Sequence, residues 1–487
     1  MAPLARTLAL GTAALALSGC ITLFEVGPDY KRPDNLPSQP VYRDEPAVPT
    51  PSADSLANLP WWEVFDDPTL QGLIKTAVGA NYDVRIAVTR IEQARAQLGI
   101  SESALYPQVG YDAAAGRGQR SALGSPSPSV TSTANSFLLQ SSASWEIDLW
   151  GRIRRSNEAA RAQLLATEEA RRGVLLSLVG SVATTYFSLI ELDLELEIAR
   201  DTVKTYRETL ALFERRLLGG IASELETTSA AANLASVAAR IPTIEQQIAQ
   251  TENGLSVLLG RPPGGIPRGK PLMQQNWPVI VPAGLPADLV ERRPDLRQAE
   301  QTMRAANAQV GVAQASYYPS ISLTGLLGVI SPQMSKLLNG DGNMWGANAG
   351  LTGPIFTGGQ LDAQLALAKA QWEQARLTYE QSILNAFREV ANALIAREKI
   401  EQARVEQARA VAALQRAVKL ATDRYVGGLA NYYEVLQWEE QLFPAQNTLA
   451  QLEGQRYTAL VQLYQALGGG WQLDNQQWNG LDTIERQ

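Results

Sequence analysis

Histidine is missing from the 487 residues, and cysteine occurs once, as Cys20. The first absence removes the Ser-His and Cys-His dyads, the usual general base and the commonest metal ligand. A single thiol forms neither an intrachain disulfide nor a thiolate metal cluster. An excess of positive charge is lacking too: the net charge is −7, and Arg152, Arg154 and Arg155 stand among carboxylates, which predicts a solvated helix face. Phosphate binding needs clustered cations, so nucleic acid is not an expected partner. No pair of carboxylates is singled out for acid–base work, and the chain reads as a non-enzyme with neither metal nor catalytic cofactor. Gly264 with Gly269-Lys270 mimics a phosphate loop, yet Pro271 replaces the required Ser or Thr, and Pro278, Pro282 and Pro286 follow where a helix should start.

What is present begins at the N-terminus. Arg6 precedes the apolar run from Leu8 to Leu17, which is shorter than the roughly 20 residues of a membrane-spanning helix. Residues 1–19 read as a secretory signal, and Leu17-Ser18-Gly19-Cys20 matches the bacterial lipobox. The Cys20 thiol is expected to carry diacylglyceryl and its new α-amine an acyl chain. At about 0.8 kcal/mol per buried methylene, several chains anchor almost permanently. Ile21 stands where an aspartate would signal inner-membrane retention, so the outer membrane is expected.

The body of the chain is written twice. Asn81-Tyr82-Asp83-Val84 aligns with Arg293-Pro294-Asp295-Leu296, and Tyr106-Pro107 with Tyr318-Pro319. Further on, Gly151 aligns with Gly359, Gly219-Gly220 with Gly427-Gly428, and Leu259-Gly260 with Leu467-Gly468. The register slips between the two sets, where the first copy has a longer Ser/Pro/Gly stretch that a loop absorbs cheaply. The first repeat is predicted over 66–260 and the second over 287–468, joined by a Pro/Gly-rich linker over 261–286. Each copy reads helix, strand, strand, long helix, returning helix.

Long helices are predicted over 151–218 and 359–426, with returning helices over 222–259 and 430–467. Leu192, Leu196, Ala199, Val203, Tyr206, Leu210, Phe213 and Leu217 step alternately by four and three, the signature of coiled-coil packing. A continuous helix from Gly151 to Leu217 would reach about 100 Å at 1.5 Å per residue, too long for an ordinary core. Strands are predicted over 108–118, 136–148, 320–330 and 344–356. In the second of these, Phe137, Leu139, Ala143, Trp145 and Ile147 alternate with polar residues. A half-buried soluble sheet has this alternation, and so does a transmembrane β-strand of about ten residues. The lipobox and the long helices favour the latter, with 121–135 and 331–343 as extracellular loops. Four strands cannot close a barrel, and an open edge is not tolerated in lipid. Three chains would pool twelve strands around a real lumen.

These features resemble the TolC-like outer membrane factors, in the lipoprotein branch that serves resistance-nodulation-division pumps. Val26-Gly27-Pro28-Asp29-Tyr30 with Pro33 is similar to that branch's segment after the lipid cysteine, and Trp61-Trp62, Phe65, Asp67-Pro68 and Leu70 to its opening helix. Arg292-Arg293-Pro294-Asp295-Leu296 with Ala299-Glu300 resembles its second-half signature, and Ala466-Leu467-Gly468-Gly469-Gly470-Trp471 its ending. The resemblance implies a mixed α/β membrane protein. It would be a homotrimer with a twelve-stranded barrel, four strands per chain, continued by a coiled-coil α-helical barrel in the periplasm. Residues 20–65 and 469–487 would belong to a lipidated N-terminal segment and an equatorial collar. It also implies a passive export duct for drugs or other small molecules, docked to a periplasmic adaptor and an inner-membrane transporter.

In that family the inner mouth decides function. Gly219, Gly220, Gly427 and Gly428 sit at the predicted hairpin tips, and Arg216, Leu217, Arg424 and Tyr425 flank them as candidates for adaptor contact. Ala430 and Gln437 stand where the resemblance leads one to expect acids. Glu224, Glu226, Tyr432 and Glu434 are the candidates for lining the aperture instead. Two other readings remain open at this point, a lipid-anchored periplasmic coiled-coil spacer without a pore and a type I secretion duct.

Overall fold

The computed structural model describes residues 24–38, 59–119, 133–276 and 289–470. The signal over 1–19, Cys20, the inner part of the predicted 121–135 loop and the tail beyond 470 lie outside the described residues. The chain divides into two compact units, each drawing on both repeats. The first comprises the N-terminal segment to Asn35 with Arg90–Glu168 and Gln298–Tyr379; the second comprises Leu36–Thr89, Glu169–Arg297 and Glu380–Gln487.

The first copy contains α1 (Trp61–Val64), α2 (Pro68–Ala80), α3 (Tyr82–Ser103), β1 (Gln108–Gln119), β2 (Thr133–Ile147), α4 (Arg152–Leu218), α5 (Glu224–Ala238) and α6 (Arg240–Leu258). The second contains α7 (Leu289–Arg292), α8 (Pro294–Ala315), β3 (Ser320–Ser331), β4 (Asn343–Thr352), α9 (Gln360–Val426) and α10 (Tyr432–Ala466). The long helices α4 and α9 are each 67 residues. Equal lengths at equivalent places are what a duplication leaves behind.

Some boundaries differ from those the sequence predicts. β4 stops at Thr352 rather than 356, because Pro354 has no N–H to donate to a ladder. β2 begins at Thr133, so the last residues of the predicted 121–135 loop are strand. The returning helix of the first copy is two helices, α5 and α6, interrupted at Ala239 three residues before Pro242. It starts at Glu224, after Ser223 caps it, rather than at 222. In the second copy α10 runs unbroken through Pro444.

In the first unit the four strands form one antiparallel sheet in the order β1-β2-β3-β4. The register puts Val109 opposite Ala143, Leu139 opposite Val329, Trp145 opposite Leu323, and Leu327 opposite Trp345. With a side-chain period of two, these residues share one face with Tyr111, Phe137, Ile147, Ile321 and Leu351. Gln108, Asp112, Gln140, Ser142, Ser144, Ser322, Thr324 and Asn348 share the other. The apolar face is left open: Tyr111 is 82% exposed, Trp345 80% and Leu351 70%.

The buried residues of the second unit include Leu175, Val182, Tyr186 and Leu189 of α4, Ile383 and Val390 of α9, Val461, Leu463 and Tyr464 of α10, and Trp61, Leu70 and Ile74. Among the described residues α4 alone is long and apolar enough to cross a membrane by composition, but 61% of that stretch is buried within the protein. It is core, not a span. The heptad stripe of α4 is likewise turned inward, with Ala199, Val203, Tyr206 and Phe213 buried.

Candidate functional site

Each hairpin tip is a glycine turn of the same design. At the first, Gly219 N donates to Arg215 O, Gly220 N to Leu217 O and Ile221 N to Arg216 O, with Gly220 at φ +69°. At the second, Gly427 N donates to Asp423 O, Gly428 N to Tyr425 O and Leu429 N to Arg424 O, with Gly428 at φ +73°. A left-handed glycine at the end of a helix satisfies its last carbonyls, and no side chain fits that conformation as cheaply. After the first turn Ser223 and Glu226 form a reciprocal capping box, Ser223 N donating to Glu226 Oε2 at 2.7 Å. Glu226 is thereby engaged in starting α5, while Glu224 beside it is exposed.

The structure brings the tips of the two copies together in the second unit. The Arg216 guanidinium lies 4.9 Å from the centre of the Tyr425 ring. Phe213 meets Tyr432 edge-on at 4.2 Å and Tyr425 at 5.8 Å. These rings pack with Ala230, Ala421 and Val435. Tyr432 is only 4% exposed. It therefore holds the hairpins against each other and leaves the set of aperture-lining candidates, because its ring is consumed by this packing. Glu434 stays partly exposed, 3.7 Å from Arg424 Nε, in a screened pair of little energetic weight. Around the turns a ring of apolar side chains faces outward that the heptad reading overlooked: Leu218 (90% exposed), Ile221, Leu225, Leu429 and Tyr433.

In the first unit residues 24–33 form a strap over α4 and α8. Arg155, which the sequence places on a solvated face, is buried at its centre, with a side chain only 4% exposed. It donates to Asp29 Oδ1 at 2.7 Å and Glu158 Oε2 at 2.7 Å, and its Nε lies 3.5 Å from Glu25. The correction has a plain cause: two of its partners come from a segment more than a hundred residues away. Gly27, at φ +107°, packs directly on the backbone of Gly311, where a side chain would collide. Arg32 grips Glu300 through two bonds, and Tyr30 Oη donates to the same carboxylate at 3.0 Å. Burial pushes Glu300 up, but Arg32 and Tyr30 together hold it below the usual carboxylate range. Where β2 ends and β3 begins, Trp150 stacks on Tyr318 at 4.7 Å and donates to Pro319 O, with the Phe24 ring tilted against it at 6.1 Å.

The Arg292-Arg293-Pro294-Asp295 signature is a staple of the second unit. Pro294 opens α8, where its missing N–H costs nothing. Arg293 chelates Asp295, pairs with Glu389 of α9 at 2.7 Å and donates to Ala466 O at the end of α10 at 2.9 Å.

The sequence pattern of the outer membrane efflux protein family matches residues 73–261 and 285–469, one match for each copy. The chain belongs to that family. Relatives include the cation efflux system protein CusC of Escherichia coli K12, 35% identical over 458 residues, which are 94% of this chain and 98% of CusC. The probable efflux pump outer membrane protein TtgC of Pseudomonas putida KT2440 is also 35% identical, over 98% of both chains. Among solved structures, CusC matches with a TM-score of 0.82 at 34% identity, over 91% of this chain and 99% of that one. The open state of the MtrE outer membrane channel of Neisseria gonorrhoeae matches with a TM-score of 0.81 at 31% identity, over 92% and 98%. The fold of this efflux protein is thus that of outer-membrane channels, a class of ducts rather than enzymes, and its place is the outer membrane.

Proposed function

We propose that this efflux protein is the outer-membrane duct of a tripartite pump, a passive and gated path for small molecules whose export is powered elsewhere. Three copies would pool their sheets into one twelve-stranded barrel, and their long helices would line a channel on the periplasmic side. The observation that carries the reading is the sheet itself. It is open at β1 and β4, and on its mainly apolar face Val109, Tyr111, Leu327, Trp345 and Leu351 are exposed. In water such a face would aggregate; in lipid it is what a barrel wall requires.

Lipidation at Cys20 belongs to the same proposal. Cys20 stands four residues before Phe24, within roughly 14 Å of fully extended chain. The Phe24, Trp150 and Tyr318 rings next to the strand ends are what membrane interfaces favour. Docking to a periplasmic adaptor would use Arg216, Leu217, Gly219, Gly220, Arg424, Tyr425, Gly427 and Gly428 with the apolar ring around them. The adaptor would connect it to an inner-membrane transporter of the resistance-nodulation-division class. Relatives named for cation, toluene and antibiotic efflux favour small solutes over secreted proteins as cargo.

Purified protein in planar bilayers is expected to give discrete conductance steps, and failure to conduct in any state would count against the duct. Cys20→Ala, freed of lipid, is expected to need detergent still, because the barrel holds it in the membrane. Release into buffer would favour the periplasmic spacer.

A further inference from the structure

In the second unit α10 packs along α4, and their seam holds two carboxyls with no cation beside them among the described residues. Glu191 of α4 rests on the backbone of α10 at Gly454, where any side chain would overlap its carboxylate. One turn on, Glu195 accepts from Gln451 Nε2 of α10 at 2.9 Å. Nearer the tips, Glu439 of α10 is 6% exposed. Its backbone oxygen accepts from Tyr206 Oη at 3.1 Å, and its carboxylate has a single long bond, from Tyr432 Oη at 3.4 Å. Tyr206 sits in one apolar cluster with Val203 and Val237, and Tyr432 in another with Phe213 and Val435. Burial raises both acids to about 7, with a further push on Glu191 from Glu195, and on Glu439 despite the bond from Tyr432.

The charges that neighbouring helices bring are engaged elsewhere or lie on the rim. Arg200 of α4 pairs with Glu245 of α6. Glu453 of α10 is held by Arg404 and Arg456, and Arg424 of α9 faces Glu434. Arg240 and Glu440 line a cavity of about 750 Å³ that follows the seam, together with Glu191, Tyr206, Asn233 and Asn447. Asn233 Nδ2 and Asn447 Oδ1 are buried without a protein partner among the described residues, which gives entering water ready contacts. Pro444 also lines this cavity and cannot donate to the Glu440 carbonyl, so α10 lacks one helical bond here. On the facing side Arg240 follows the break between α5 and α6. Soft points therefore occur in both helices around one cavity.

We propose that this seam is a proton-controlled joint: with Glu191 and Glu439 neutral, α10 stays packed on α4, and on ionisation the segment around Pro444 parts from α4 and admits water. An ionised carboxylate in a seam without a counter-charge is costly, whereas in the parted state it is hydrated and titrates normally. The packed state therefore holds its protons to higher pH than the parted one. Packing is favoured in acid, weakens as pH rises from the ordinary carboxylate range toward 7, and changes no further above that. Each carboxyl raises the parted-to-packed ratio by up to about tenfold per pH unit within this window. If the duct reading holds, acid would keep the inner mouth shut.

Hydrogen exchange of residues 439–454 in the full-length, detergent-solubilised protein tests the joint from pH 5 to 8, each rate corrected for the chemical pH dependence of exchange. Corrected exchange is expected to rise at least tenfold from pH 5 to 7 and then to level off. Glu439→Gln and Glu191→Gln should each flatten the rise, and the double variant should abolish it. Glu245→Gln, on the exposed pair with Arg200, should leave it intact. A pH-independent wild type, or a double variant with the wild-type slope, overturns the proposal. Should the double variant fold poorly, Glu439→Gln alone decides, since its amide imitates the neutral acid. The measurement needs no pore, so a failure to conduct sinks the duct without touching the joint.

Discussion

Asp67 accepts four hydrogen bonds at the start of α2: from Thr69 N and Leu70 N as an N-cap, and from Tyr186 Oη and Gln275 Nε2 across the second unit. Asp67→Ala removes the cap and the acceptor of the buried Tyr186 hydroxyl, which keeps only the bond it accepts from Gly269 N, while Gln275 Nε2 keeps Lys270 O, a loss of roughly 2–4 kcal/mol. The thermal midpoint of the solubilised protein is expected to fall by several degrees, and an unchanged midpoint would refute this role. At the strap, Glu300 is depressed, so its contribution is present above the ordinary carboxylate range and lost as pH falls through its lowered value. Glu300→Gln removes that contribution at every pH, and trypsin is expected to cut faster after Lys31 than in the wild type. The tip glycines were legible as residues because a glycine turn is a local pattern. Arg155 and Glu439 were not, since their surroundings are assembled from segments far apart in the chain, and a charged residue between polar neighbours looks solvated.

At the scale of elements, period decided what could be read. Strands of period two and helices with a heptad stripe announce themselves, and the register then places every alternating apolar set on one face of the sheet. Leu327→Arg puts a cation on that face, at a cost of about 2–4 kcal/mol if it lies at mid-bilayer. It is expected to reduce heat-stable, membrane-inserted protein, while Thr324→Arg on the opposite face leaves insertion unchanged; equal loss in both would refute the assignment of faces. The interruption at Ala239 and the early end of β4 depend on single prolines, which fix where an element stops but leave its period untouched. At the tips, Leu218→Asp with Leu429→Asp is expected to abolish complementation of efflux in cells while membrane levels stay normal. Full complementation by that variant would remove the apolar ring from the docking surface.

For the whole molecule, the duplication explains why each compact unit takes a share of both copies, and why the two 67-residue helices match in length. Neither the number of chains nor the compound exported is written in one chain's periodicity. The first follows from closing a four-stranded sheet, the second from partners that act before the duct. In the proposed duct the apolar face and the two open strand edges would be covered by neighbours and lipid together, and three chains would be the fewest that leave a water-filled lumen. Native mass spectrometry of the protein released from detergent micelles tests this most directly. A mass of three lipidated chains is predicted, and a stable monomer that keeps its sheet would contradict the account.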